Sequence, residues 1–246
     1  MTAVLNPESL GEAFLQVDPA LRTPELEGQM LDTAEQHLAK TGTGGGRRLL
    51  VWSAIDDTLR HSLLTSRGYR PVEGNEAQQH RHRAPLGQML LTPAPSGYVV
   101  RSLGDVQELP ARSWASWRAF HPNELDSAYE GWEWYLNIQR AALYRRDLDI
   151  VAATADGTIA AFCTMWYDDV TRRAYIEPVG TVPERQRHGL GRAVLTEGLA
   201  RLWSLGATTA IVSGFSPGAN ALYDTAVGPD YLVSEPWMKE LPSAQV

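Results

Sequence analysis

At 246 residues and 27.1 kDa the chain is long enough for one large domain or two small ones, with ample core to bury. A hydrophobic share of 43% and a charged share of 21% are those of a globular protein, while a net charge of −7 and a pI near 5.4 exclude a nucleic-acid footprint. Cys163 is the one cysteine, so an internal disulfide and a thiolate metal cluster are both excluded, and no metal is expected. The first residues, MTAVLNPESLGEAF, lack the charged-then-apolar order of a signal peptide, and no apolar run nears the roughly 20 residues that cross a bilayer. A cytoplasmic protein without membrane partners is the expectation.

In chain order, EAFLQVDP reads as a strand, and ELEGQMLDTAEQHLAK as a helix with Leu26, Met30, Ala34 and Leu38 on one face. RRLLVWSA reads as a strand, DTLRHSLLTSRGY as a helix and QHRHRAPL as a strand of alternating polar residues. APLGQMLLTPAPSG, punctuated by Pro and Gly, reads as a linker. The expected division is a lobe over 1–90, a linker over 91–97 and a larger domain over 98–246.

Beyond the linker, GYVVRSL is a strand, and Asp105 stands where it would cap the helix DVQELPARSWASWRAF. YEGWEWYLNIQRAALY, Tyr129 to Tyr144, has a second helical pattern. DIVAATADGTIAAFCTMWYDD is a hairpin turning at Asp156-Gly157. RAYIEPVGTV is a strand, RAVLTEGLARLW a helix, TAIVSGF a strand, ANALYDTAV a short helix and YLVSEPWMKEL a final strand. Antiparallel strands followed by strand–helix–strand–helix–strand give a mixed α/β (α+β) class.

The 1–90 lobe repeats the second half of that order. Sliding the chain by 164 residues lays Pro19 on Pro183, Arg22 on Gln186 and Leu31 on Leu195. Glu25 and Glu27 then fall opposite Gly189 and Gly191. A strand, a glycine-bearing turn and a helix aim several N–H groups at one point, with the helix dipole behind them. Arg185, Arg187, His188 and Arg192 add positive charge there, so the turn reads as a pyrophosphate cradle that acids in the first copy would forbid. A dinucleotide loop is excluded because Val194 stands where the third glycine belongs, and a P-loop because no G-K-[ST] follows.

The segment EPVGTVPERQRHGLGRAVL, Glu177 to Leu195, resembles the acyl-CoA loop of the GNAT superfamily of N-acyltransferases: Gln186, Gly189 and Gly191 match its R/Q-x-x-G-x-G/A, with Pro183 placed upstream. The resemblance extends from Tyr98 to about Leu241 and, in degenerate form, over the first lobe, a tandem organisation similar to that of mycothiol synthase. It implies a mixed, mostly antiparallel sheet flanked by helices, with acetyl-CoA as co-substrate. It also implies that Val179, Gly180 and Thr181 border the pantetheine arm, that Gln186, Arg187, His188, Gly189, Leu190, Gly191 and Arg192 form the pyrophosphate loop, and that Ser216 and Asn220 lie on the opposite wall. Gly180 further suggests a place where backbone must lie close to a ligand.

By the same resemblance Tyr223, in A-x-x-L-Y-x-x-x-G, is the expected proton donor to the departing thiolate, and Glu177 the expected base or the end of a water chain. Two departures stand out: Ser216 occupies a position where asparagine is frequent, and Gly228-Pro229-Asp230 replaces Gly-Phe. WRAFHPNELDSAYEGWEWY gathers aromatics and carboxylates suited to a cationic or amphiphilic amine, with Trp117, His121, Glu124 and Trp132 as the expected acceptor contacts. The expected activity is transfer of acetyl to the primary amine of a small molecule or peptide in a ternary complex, in a chain that can pair as a homodimer. A silent acyl-CoA-binding module, a different acyl donor and a hydroxyl acceptor are the alternatives left open.

Overall fold

The computed structural model describes residues 3–7, 9–42, 45–74, 78–88 and 90–243. The first elements are β1 (Ala3–Asn6), β2 (Glu12–Val17), α1 (Pro24–His37), β3 (Lys40–Thr41), β4 (Arg47–Ala54), α2 (Thr58–Ser66) and β5 (Arg70–Pro71). There follow β6 (Gln79–Pro85), β7 (Val99–Ser102), α3 (Leu109–Phe120) and α4 (Tyr135–Gln139). The remainder comprises β8 (Asp149–Ala153), β9 (Ile159–Asp168), β10 (Arg173–Thr181), α5 (Leu190–Ser204), β11 (Thr209–Gly214), α6 (Pro217–Ala226) and β12 (Tyr231–Leu241).

By internal contacts the chain divides into one unit of residues 1–80 with 232–246 and another of residues 81–231. This differs from the boundaries expected at 90 and 98. The C-terminal strand, read as part of the second domain, runs antiparallel to β4 from Ser234↔Ala54 to Leu241↔Arg47 and so belongs with the first.

In the first unit the strands run β1-β2-β4-β12, with β3 on β4 and β5 on β12. Leu31, Ala34, Leu49, Val51 and Leu64 form the centre of its core. Thr23 caps α1 by accepting from the Leu26 N–H at 3.2 Å, and Pro24 follows at the first helical position. Counted from the helix caps, Thr23 matches Gly189 and Glu25 matches Gly191, two residues off the match that sliding by 164 suggests. Glu27 is fully buried and clasped by two arginines. Arg60 donates Nε at 3.0 Å and Nη2 at 2.9 Å to it, and Arg22 donates Nε to the same carboxylate. Arg22 also donates to both oxygens of Asp57, the cap of α2, at 2.8 and 2.6 Å. Burial pushes the Glu27 carboxyl up, but hydrogen bonds from Arg60 and Arg22 outweigh it and hold the group below the usual carboxylate range.

In the second unit the strands run β6-β11-β10-β9-β8-β7. β7, β8, β9 and β10 pair antiparallel in succession, and β10 pairs parallel with β11. Period-two alternation sends Ile150 and Ala152 into the core beneath α5, and Val151 and Ala153 into a core with α3. The hairpin turns as expected, with Gly157 at φ +87° and the Thr154 N–H bonded to Thr158 O at 3.0 Å. Two local expectations fail. The helix expected over Tyr129–Tyr144 shrinks to α4 because Gly131, at φ +103°, turns the chain out of the helical region. Asp105 makes no cap hydrogen bond, since Arg146 takes its carboxylate at 2.9 Å; Glu108 receives the Gly104 N–H at 2.7 Å instead.

Candidate active site

The site begins where two strands part. β10 pairs with β11 only from Arg173↔Thr209 to Ile176↔Val212, yet stays paired with β9 as far as Thr181. Pro178 has no N–H to offer, and a bulge shifts the β9–β10 register between Ile176 and Val179. The parallel ladder therefore stops at Ile176 and the strand ends splay. The start of α5 faces this opening. Its cap is Gly189 (φ +81°, ψ 0°), with no side-chain cap hydrogen bond, so the first-turn N–H groups and the positive end of the dipole face outward. A Cβ at Gly189 would meet nothing within 4 Å, so the glycine serves the backbone angle and leaves the approach open. Arg187 is also left-handed, at φ +64°, which costs a non-glycine residue about 1–3 kcal/mol and is typical of functional loops.

A cavity of about 530 Å³ fills the splay. Val179, Gly180 and Thr181 form one wall, and Gln186, Arg187, Gly189, Leu190, Gly191 and Arg192 the loop wall. Ser216, Leu222 and Tyr223 stand opposite. Ser216, in place of asparagine, caps α6 by accepting from the Ala219 N–H at 3.2 Å. Gln186 Nε2 donates to Thr181 O at 3.2 Å, tying the loop to the strand end. A Cβ at Gly191 would stand 3.3 Å from both Leu222 Cδ2 and Thr181 Oγ1, so this glycine lets the loop pack tightly on α6.

Three expected contacts sit differently. His188 is exposed and lies outside the cavity walls. Asn220 is not a wall either; its Oδ1 lies against Gly214, buried and without a hydrogen-bond partner. Gly180 does border the cavity, but its missing Cβ makes room for protein rather than ligand. A Cβ there would come within 2.9 Å of Phe162 Cε1, closer still to Cζ, and 3.0 Å from Ala119 Cβ.

Tyr223 closes the cavity, 5% exposed, with the ring of buried His82 edge-on at 5.6 Å. Burial raises its hydroxyl pKa above the ordinary value, and the neighbouring Cys163, the Glu177 carboxylate and Tyr175 raise it further, so the phenol keeps its proton. Glu177 is exposed, and its carbonyl accepts from Trp166 Nε1 at 2.7 Å. His82 and Gln79 are buried, which corrects the reading of QHRHR as merely alternating polar residues.

A second cavity, of about 460 Å³, opens beyond Phe120, which borders both. Trp117, His121 and Glu124 line it as expected. Trp132 does not; it packs against the core that holds Leu109 and Tyr135. Tyr129, Glu130 and Trp134 take its place in the walls.

Behind Phe162 lies a buried polar cluster that the sequence reading missed. Arg112 is fully buried, its guanidinium carbon 3.8 Å from the Phe162 ring centre. Its Nε donates to Asp149 Oδ1 at 3.1 Å and its Nη2 to Thr164 Oγ1 at 3.0 Å. Tyr135 and Tyr144 donate their hydroxyls to Asp149 Oδ2. The signal was present: Leu109, Arg112, Ser113 and Ser116 share one helix face, and that face is buried. Among the described residues no group of three or more His, Cys, Asp or Glu is placed to hold a metal, and no helix is long and apolar enough to cross a membrane.

Known proteins resemble this chain in sequence and in fold. A mycothiol acetyltransferase of Kineococcus radiotolerans is 28% identical over 191 residues, covering 76% of this chain but only 58% of the relative. A GCN5-related N-acetyltransferase from Sphaerobacter thermophilus superposes with a TM-score of 0.75 at 19% identity, over 99% of this chain and 78% of that one. A tandem GNAT protein from the clavulanic acid biosynthesis pathway superposes with a TM-score of 0.64 at 14% identity, over 97% and 79%. Both likenesses speak to the fold. Residues 107–228 match the model of the acetyltransferase (GNAT) family, and the fold is the GNAT fold.

Proposed function

We propose that this chain is an acetyl-CoA-dependent N-acetyltransferase that acts on a primary amine by direct transfer in a ternary complex. The observation that carries the reading is the convergence of a splayed strand end, an uncapped helix start at Gly189 and a buried, protonated Tyr223 on one cavity. Those features fit a phosphate-bearing thioester, which is long, anionic at one end and reactive at the other. Acetyl-CoA supplies the activated acetyl group.

The N–H groups of the first turn of α5, with Arg187 and Arg192 beside them, hold the pyrophosphate. The strand end Val179–Thr181 lies along the pantetheine arm. As the amine nitrogen bonds to the acetyl carbon, the carbon–sulfur bond breaks and Tyr223 Oη gives its proton to the leaving sulfur, while the surplus proton on the new amide nitrogen passes through water to restore the phenol. An alkylammonium of pKa about 10 must lose a proton before it attacks, and Glu177, on the strand edge near Tyr223, receives it directly or through water. In the first unit the Thr23 side chain caps the equivalent helix start and Glu25 stands where the second unit has Gly191, so acetyl-CoA binds only in the second unit.

The test is release of free thiol from acetyl-CoA in the presence of a panel of primary amines. Amine-dependent release is expected. Tight binding of acetyl-CoA without release for any amine would leave the chain a silent binding module.

A further inference from the structure

The second cavity is built for a positive charge carried on an apolar body. It lies at the C-terminal end of α3, a twelve-residue helix whose dipole places partial negative charge there. Trp117 and His121 stack at 5.6 Å and 17°, and Tyr129 leans on Trp117 with ring centres 5.6 Å apart. Trp134, 45% exposed, and Phe120, 54% exposed, turn apolar surface outward at the rim. The carboxylates of Glu124 and Glu130 are exposed in the same walls. Arg118, the basic residue in the last turn of α3, is drawn away from this cavity by Glu184 at 2.7 Å. Aromatic faces, two carboxylates and a helix C-terminus all favour a cation, and no lysine or arginine lines the cavity to oppose one.

We propose that this cavity selects the acceptor as a small organic cation, an ammonium group borne on an aromatic or bulky apolar body. The proposal rests on the amine-acetyltransferase reading and narrows it. A volume of about 460 Å³ falls within the size of small-molecule sites and suits one such molecule rather than an extended peptide. Phe120, common to both cavities, places the cation beside the cofactor cleft, where a primary ammonium would meet the thioester once deprotonated.

The experiment uses phenyltrimethylammonium, a permanent cation that cannot accept an acetyl group, so binding is read without any transfer. Tryptophan fluorescence of the whole chain is titrated with this probe, with 3-phenylpropionate and with benzyl alcohol. Saturable quenching by the cation alone is expected, and Glu124→Gln with Glu130→Gln should weaken it roughly five- to tenfold. Trp134→Ala should weaken it by a similar factor without altering acetyl-CoA affinity. Equal binding of the anionic or neutral probe, or unchanged cation binding in the double Gln variant, would overturn the proposal. So would a lysine-containing peptide that displaces the cation better than small amines do. Cation binding in a chain that releases no thiol would sink the enzymatic reading and leave this site standing; thiol release with acidic or sugar amines and no cation binding would do the reverse.

Discussion

Gly180→Ala separates two reasons for one glycine. The added methyl would stand 2.9 Å from Phe162 Cε1 and 3.0 Å from Ala119 Cβ, and closer still to Phe162 Cζ. Phe162 is fully buried, with the Arg112 guanidinium 3.8 Å from its ring centre, so it has no free direction in which to retreat. Overpacking of this kind costs about 1–3 kcal/mol. In a chain of this size each kcal/mol moves Tm by about 2–4 °C, so a drop of about 2–12 °C is expected in a thermal melt. Phe162→Leu introduced together with Gly180→Ala should recover part of that loss, since the two sites touch and their effects do not add. An unchanged Tm together with weakened acetyl-CoA binding would mean that Gly180 serves the ligand after all, and the packing argument would be refuted.

Tyr223→Phe should leave acetyl-CoA affinity unchanged and lower turnover by about a hundredfold or more, as loss of a general acid does; undiminished turnover would remove Tyr223 from the mechanism. Because burial raises the Tyr223 pKa above the ordinary 10.0, the donor stays protonated through neutral and mildly alkaline solution, and kcat should show no alkaline limb below about pH 10. Glu27→Gln leaves Arg22 and Arg60 without their shared carboxylate and should cost about 3 kcal/mol by urea unfolding, with no change in acetyl-CoA affinity. The Glu27 pKa is depressed, so its contribution is present above the ordinary carboxylate value of 4.5 and is lost as pH falls below it; a wild-type and Glu27→Gln pair that converge in acid would bear this out.

Local chemistry made the site legible in sequence. Gly189 and Gly191 behind β10, Tyr223 on α6 and the Asp156-Gly157 turn each announce their conformation within a few residues. What the sequence hid depends on partners far along the chain. β12 reads as a strand, but its pairing with β4, nearly two hundred residues earlier, leaves no local trace. The acid of Glu27 reads as a charge that would repel phosphate, whereas its burial between Arg22 and Arg60 requires the fold to bring α2 against α1. Gly180 suggests ligand contact on general grounds, and only the register Gly180↔Phe162 reveals the ring beneath it. The helix expected over Tyr129–Tyr144 fails because its pattern of aromatics outweighs one glycine on paper, while at φ +103° that glycine decides the backbone.

The central claim, a single anion-binding helix start that holds acetyl-CoA, is tested most directly by calorimetry on an isosteric pair. Gly189→Asn and Gly189→Asp both tolerate the left-handed backbone at φ +81°, and a side chain there has open space. The two variants differ by one negative charge at the mouth of the α5 dipole. Wild type should bind one acetyl-CoA per chain, Gly189→Asn should retain most of that affinity, and Gly189→Asp should lose it. Two sites per chain, or equal affinity in the Asn and Asp variants, would contradict the account.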